Sequence, residues 1–551
     1  MFTRGEGQDG IYTEARQNTG AEREDVLFRA APYACGHDPL DHLPHNATLP
    51  QFGARSMSLL KTALHEKTFV CVMEFVPKPS SERFAAMQAI MARGHLCGWP
   101  MTVAIGDRVG SPLDMSPLDA LASFSSPVPA LPHFSGKDRE RHHLLAQLQR
   151  MDADGLDQLL LLTGDRLPGH QPGQRPVRYL ESVAALQIAR QACPHWLLGA
   201  ALNPFKYCEE EGGAQYFKAE KKLAAGADFL TLQLGFDASK HQEAQAWMNR
   251  QPNPKPLLAC LMSLTHGRAA MLDHVAGVTV TPSMRDMLEA EAAVSKAHAQ
   301  ARSVDRLALQ VIGVKLMGYA GVHLSGIHEL KQLLALEQRL EHWQAQLHSL
   351  EQWAPAWAAS WQVPGLPAVV FHPPAASWRQ GESKVSASST EKARYHLLHA
   401  FHALLFSRNN WLSKAFGWAV RQPLWASASG ARVLHGVERA VKRPLLGCDT
   451  CGRCRLEDTL YICPETCPKG LANGPCGGTS LNRCEFGDRE CIHSVKYRTA
   501  KAVRQTAVLT ERLIPCIDVQ TRHRSSWPAW FAAQAPQRLK ACSKPRTQPE
   551  S

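Results

Sequence analysis

Eight of the sixteen cysteines in this 551-residue chain fall between Cys448 and Cys491, at the spacing Cys448-x2-Cys451-x2-Cys454-x8-Cys463-Pro-x2-Cys467-Pro-x7-Cys476-x7-Cys484-x6-Cys491. Core packing does not explain so dense a run. In a reducing compartment, thiolates at such intervals bind metal, as zinc sites or iron–sulfur clusters, and two sets of four would serve either. A second set of reactive side chains is spread through the first half of the chain: Glu74, Asp107, His133, Asp165, Asn203 and Gln233 each stand where a short apolar run opens into a loop. Taken singly, each reads as a helix cap, a satisfied core histidine or a loop hydrogen-bonder. Six at the same place on successive elements would form one polar ring in an apolar mouth, the form of a small-molecule or cofactor site. Lys222, just ahead of the sixth run, could reach a phosphate or lie on a solvated helix face.

The elements that must position these groups are strands and helices in alternation. Leu159 to Leu162, four leucines between Gly155 and Gly164, read as a strand buried on both faces, as in a parallel sheet. Similar runs are Phe69–Phe75, Pro100–Ile105, Val128–Phe134, Trp196–Leu202, Phe229–Leu234, Pro256–Met262 and Gly321–Leu324. Helical segments are expected at Ser81–Arg93, Arg139–Met151, Tyr179–Ala192 and Gln215–Ala225, with the weakest at Leu118–Phe124. Eight strands with intervening helices predict a (β/α)8 TIM barrel over residues 56–350, with an open doubly wound sheet as the alternative. In such a barrel the site lies at the C-terminal strand ends.

Met73-Glu74-Phe75-Val76-Pro77-Lys78, Leu161-Leu162-Thr163-Gly164-Asp165, Lys222 with Ala225-Gly226-Ala227-Asp228, and Gln233 with Phe236-Asp237 resemble, in this order, the motifs of flavin-dependent 5,10-methylenetetrahydrofolate reductases. That resemblance implies reduction of 5,10-methylenetetrahydrofolate to the 5-methyl form, or its reverse, through FAD with NAD(P)H. His133, Thr163, Gly164, Asp165, Asn203 and Lys222 would be cofactor contacts, Gln233 a substrate contact, and Glu74 and Asp165 the catalytic pair. Glu74 is the expected proton donor to N10, and Asp165 is expected to stay ionised beside the flavin. Two departures stand out: Thr163 replaces the arginine usual before Gly-Asp, and Leu324-Ser325-Gly326-Ile327 lacks the arginine many members place after the last strand. The cysteine stretch resembles the Cys-rich C-terminal domain of some bacterial reductases of this kind. Its Cys-x2-Cys-x2-Cys start and Cys-Pro pairs are similar to ferredoxin ligation, although the fourth cysteine misses the ferredoxin spacing, and they place iron–sulfur ahead of zinc. Rival readings are a folate barrel that transfers a methyl group and a non-catalytic barrel acting as redox or assembly partner.

Composition bounds the rest. An apolar content of 44% with 20% charged residues is that of a soluble globular protein, and no run approaches a membrane span. The expected organisation is a loosely ordered extension over 1–55, the barrel, a Trp- and Pro-rich linker over 351–394, a helical and Cys-rich metal-binding region over 395–500, and a basic tail over 501–551. The tail contributes much of the net charge of +11 and is read as solvated. A cytoplasmic location, a folate-type substrate, no membrane and no nucleic acid are expected; a protein electron-transfer partner and a homo-oligomer stay open.

Overall fold

The computed structural model describes residues 58–107, 114–167, 179–374, 376–407 and 410–532. The N-terminal extension expected over residues 1–55 lies outside them. Eight parallel strands form the barrel: β1 (Val70–Phe75), β3 (Trp99–Ile105), β4 (Ala130–Ser135), β5 (Gln158–Leu162), β6 (Leu197–Leu202), β7 (Phe229–Leu232), β8 (Leu257–Met262) and β9 (Gly321–Ser325). The short β2 (His95–Leu96) runs antiparallel to β3. β1 pairs in parallel with both β3 and β9, which closes the ring and leaves no open edge. The doubly wound alternative is thereby excluded.

Alternation along each strand splits the apolar residues into two cores. Val70, Val72, Ala104, Leu131, Leu160, Leu197, Phe229 and Leu258 point inward, and the Leu59–His65 helix closes the N-terminal end with Leu60, Ala63 and Leu64. Gly199 makes room for the Phe229 ring, which would lie 2.2 Å from any Cβ there. The barrel is therefore solid below, and only its C-terminal end can receive a ligand. Outward-facing residues pack beneath a ring of helices that includes Ser81–Met91, Arg141–Ala153, Ser182–Ala192 and Glu209–Ala224.

Trp353 and Trp357, on the Leu350–Ser360 helix, and Trp361 just after it dock on the barrel. The first two rings stack at 5.6 Å, and Trp353 Nε1 donates to Leu309 O at 2.7 Å. The start of the stretch read as linker is thus a packed helix. Three further helices follow, Ser389–Leu405, Trp411–Val420 and Ala428–Leu446, then the cysteine loops and the Ile492–Ala502 helix. Part of the stretch read as solvated tail folds back: the Ile514 N–H donates to Asn473 Oδ1 at 2.8 Å, and Arg522 reaches Glu465 at 3.0 Å.

Candidate functional site

At the C-terminal end of the barrel, Glu74 of β1, His133 of β4, Cys260 of β8, and His323 and Ser325 of β9 form the floor of a pit. The imidazoles of His133 and His323 lie 6.1 Å apart. His133 Nε2 and both ring nitrogens of His323 are buried without a hydrogen-bond partner. Burial, and then the neighbouring His323, push His133 down to about 3; burial also lowers His323, so both are neutral near pH 7. Cys260 Sγ lies 3.6 Å from Ser325 Oγ. Leu162, Cys260 and Glu74, although inside the barrel, are only half-buried. Two buried imidazoles with unmet hydrogen-bonding capacity stand here, and a polar ligand at the mouth could satisfy them.

The rim has two sides. Beside Glu74, Arg268 donates to Gly326 O at 2.5 Å and Ser263 O at 2.9 Å, while Arg83 Nη2 reaches Val76 O at 3.5 Å. These cations stand near the β9 turn where the sequence lacks its expected arginine. Sequence reading missed Arg83, Arg268, Cys260 and His323, because nothing local shows which strand residues point inward or which helix returns a cation to the mouth.

On the other side the Cys-rich region itself forms the wall, seated on the Glu209–Ala224 helix. Gln215 Nε2 donates to Cys476 O at 2.7 Å, and Lys218 Nζ to Pro475 O at 3.0 Å and Gly474 O at 3.1 Å. Glu211, in the first turn, accepts from the Leu481 and Asn482 N–H groups, which suits a carboxylate at the positive end of a helix. Gly213 lets the Tyr497 ring lie against the helix backbone, only 2.3 Å from where a Cβ would stand. Lys469 Nζ donates to Gly164 O at 2.8 Å and pairs with Glu485 at 2.5 Å, and Glu485 also accepts from Arg166 N.

Several residues expected in the ring have partners within the protein. Asp107 is held by Arg139 at 2.5 Å and by Ser135 N at 2.7 Å. Asn203 Nδ2 donates to Gly277 O at 2.9 Å and Gly477 O at 2.8 Å. The Thr163 hydroxyl accepts from Ser182 N at 3.1 Å, and Lys222 donates to Ala201 O. Burial, and then the charge of Lys218, lower Lys222 to about 7. The Gln233 carboxamide is pinned between Ala276 O and Leu234 N, at 3.2 and 3.0 Å. Asp165 keeps solvent contact at the rim, yet the surrounding protein raises its pKa; Lys469 and Lys137 oppose that rise and Glu485 adds to it.

The eight cysteines separate into two quartets. Cys448, Cys451, Cys454 and Cys463 line one small cavity, with Lys442 Nζ 3.6 Å from Cys454 Sγ. Cys467, Cys476, Cys484 and Cys491 form the other, close enough to shift one another's ionisation. Backbone N–H groups two residues ahead point at six of the sulfurs: Thr450 at Cys448, Glu465 at Cys463, Lys469 at Cys467, Gly478 at Cys476, Phe486 at Cys484 and His493 at Cys491. Such N–H donors favour the thiolate, the ligand form, while burial opposes it and keeps every one of these thiols except Cys448 raised, so a cation among the sulfurs would have to supply the remaining stabilisation. Among the described residues, the group of three donors within 4.8 Å of one another is a different one, Cys97, Glu337 and Glu341. It lies at the closed end of the barrel, and Glu337 is already paired with Arg93 at 2.8 Å.

Comparison with known families decides the relationship. The family description "Methylenetetrahydrofolate reductase" matches residues 59–340, just over half the chain. The chain belongs to this family. "Methylene-tetrahydrofolate reductase C terminal" matches residues 428–520, the region of the two quartets. Similar solved structures include an uncharacterized protein from Clostridium thermocellum that binds two copies of 5-methyl-5,6,7,8-tetrahydrofolic acid. It is 11% identical, with 52% of this chain and 100% of that one covered and a TM-score of 0.39. A second is 2,3-dimethylmalate lyase, 12% identical over 53% of this chain and 88% of that one, with a TM-score of 0.32. No curated protein matches the chain.

Within this reductase family a flavin is expected. The unmet nitrogen of His133 and the rim carboxyl of Asp165 suit a flavin ring. The residues that resemblance assigns beyond the ring, Asn203 and Lys222, are committed to Gly477 O and Ala201 O. Lys218, on the same helix face, is committed to Gly474 and Pro475. The side chains that a dinucleotide tail would need are therefore engaged by the Cys-rich loop and by the barrel backbone.

Proposed function

We propose that this chain is a 5,10-methylenetetrahydrofolate reductase whose pterin and one-carbon unit enter the pit above Glu74, His133 and His323. What carries the reading is the pair of buried imidazoles with unmet hydrogen bonds beside a carboxyl group, at the catalytic end of a barrel of this family. A bound flavin would supply hydride transfer from NAD(P)H to the folate. The protein's part is to bind, orient and protonate.

Neutral His323 would hydrogen-bond the pterin while His133 serves the flavin ring, and the pinned carboxamide of Gln233 would face the folate. Glu74 would give a proton to N10 as the bond from N10 to the exocyclic carbon breaks, and that carbon receives the hydride. Atoms balance as methylenetetrahydrofolate, NAD(P)H and a proton giving methyltetrahydrofolate and NAD(P)+. Arg268 and Arg83, near the turn that lacks its arginine, would hold the carboxylates of the folate tail. The Cys-rich loop would exclude water from the Asp165 side, with metal in the two quartets holding that loop in shape; sulfur-only donors suit zinc or iron–sulfur. NAD(P)H oxidation followed with methylenetetrahydrofolate, alongside calorimetric titration with 5-methyltetrahydrofolate, tests this. Folate-dependent oxidation is expected. Methyl transfer to an acceptor without NAD(P)H oxidation would support the methyltransferase rival instead.

A further inference from the structure

The helices Ser389–Leu405, Trp411–Val420 and Ala428–Leu446 bury little of their apolar surface. Leu397 is 71% exposed, Trp411 73%, Trp418 66% and Leu445 63%. These residues are not scattered. Leu397, Phe401 and Leu404 share one face of the first helix, and Val433, Val437, Val441 and Leu445 recur every fourth residue along the third, also exposed. The two faces meet: Arg394 donates to Leu445 O at 3.3 Å, and Leu397, Phe401, Val441 and Leu445 all border a cavity of about 410 Å³. Its deeper wall, including Phe406 and Trp530, is also apolar.

Cations dominate the charges around this surface, although Glu457 also borders the cavity. Arg394, Lys414, Arg421, Arg432, Arg439 and Arg443 are exposed. Between residues 389 and 446 the only carboxylates are Glu391 and Glu438, and both are taken: Glu391 by Arg498 at 2.6 Å and Glu438 by Lys442 at 2.6 Å. A second copy meeting this face across a two-fold axis would set arginines against arginines, and Trp411 and Trp418 leave two indole rings largely in solvent. Apolar stripes, interfacial tryptophans and arginines without carboxylates are what a helix lying in the headgroup layer of an anionic bilayer presents.

We propose that the face formed by residues 389–446 is a peripheral docking surface for anionic lipid bilayers. The helices lie on the membrane without crossing it; among the described residues no helix is long and apolar enough to span one. The cavity between Phe401 and Val441 opens on this face and offers a seat for an acyl chain.

The test is co-sedimentation of the full chain with vesicles of phosphatidylcholine alone and of phosphatidylcholine mixed with phosphatidylglycerol. Binding to the mixed vesicles at low salt, at least tenfold above binding to neutral ones and reversed by high salt, is expected. Trp411→Glu with Trp418→Glu should weaken it tenfold or more, and so should Arg432→Gln with Arg439→Gln and Arg443→Gln. All five positions are exposed, and unchanged circular dichroism would show that the variants fold. Failure to bind mixed vesicles, or equal binding by the variants, overturns the proposal. So does light scattering that shows a dimer split by the same substitutions with no vesicle binding, because the face would then belong to a second copy.

Discussion

Lys469 Nζ lies 2.8 Å from the carbonyl oxygen of Gly164, so a residue two positions past a cysteine ligand candidate touches the strand end that carries Asp165. The same amine is paired with Glu485. Through this contact the Cys-rich region reaches the mouth of the barrel, and the proposed folate chemistry would depend on its integrity.

Acid should loosen that wall before it unfolds the barrel. Burial alone would raise the Glu181 carboxyl, but the charge and hydrogen bond of Lys218, with the Asn473 N–H, outweigh it and hold the pKa at about 2 against an ordinary 4.5. A depressed carboxyl contributes stability above its unfolded value and loses that contribution as pH falls through the folded one. The shift corresponds to about 3 kcal/mol. Urea unfolding followed from pH 5 downward should show this loss, and Glu181→Gln should flatten it. An unchanged pH slope in the variant would mean that Glu181 does not anchor the region.

Metal removal should act in the same place. Chelation under reducing conditions is expected to make residues 448–491 protease-sensitive while the barrel, with its own core, stays folded. Folate affinity should fall at the same time, because Lys469 and Gly477 leave the mouth. Protein purified without oxygen or chelator that contains no metal, has eight free thiols and resists protease would contradict the metal reading.

Arg268 should matter for affinity more than for rate. Arg268→Ala is expected to raise KM for the folate substrate about tenfold with kcat little changed, the signature of binding energy lost equally from ground and transition states. An equal fall in kcat would move Arg268 into the chemistry.

Extracted cofactor offers a separate check. With Asn203 and Lys222 engaged by Gly477 and Ala201, the account predicts a flavin held by its ring end, either the mononucleotide or a dinucleotide released on gel filtration. Tightly bound stoichiometric FAD would require the loop carrying Gly477 to sit elsewhere.

Much of the barrel was legible because its strands are short apolar runs between breakers. Gln158–Leu162 and Leu257–Met262 fall within a residue of the expected bounds at each end. The inward direction of His323 and Cys260 was not legible, since strands buried on both faces lose the alternation that distinguishes inside from outside. The seating of the Cys-rich region was hidden for a different reason. Gln215 meets Cys476 across 261 residues and Lys469 meets Gly164 across 305, and lysines or glutamates between cysteines look solvated until such a partner is known. Recognisable motifs marked Glu74, Asp165 and Gln233, but not that Asn203 would brace the module. The docking face escaped because no single run is long enough to suggest a membrane; only the packing shows which helix faces remain uncovered.

Glu74→Gln is the most direct test of the central claim. Stopped-flow measurement of folate reduction, with binding of 5-methyltetrahydrofolate measured in parallel, separates acid catalysis from recognition. The account predicts binding within about threefold of the parent and turnover lower by about a hundredfold or more, the usual scale of a lost general acid. Unchanged turnover, or a loss of binding as large as the loss of rate, would contradict it.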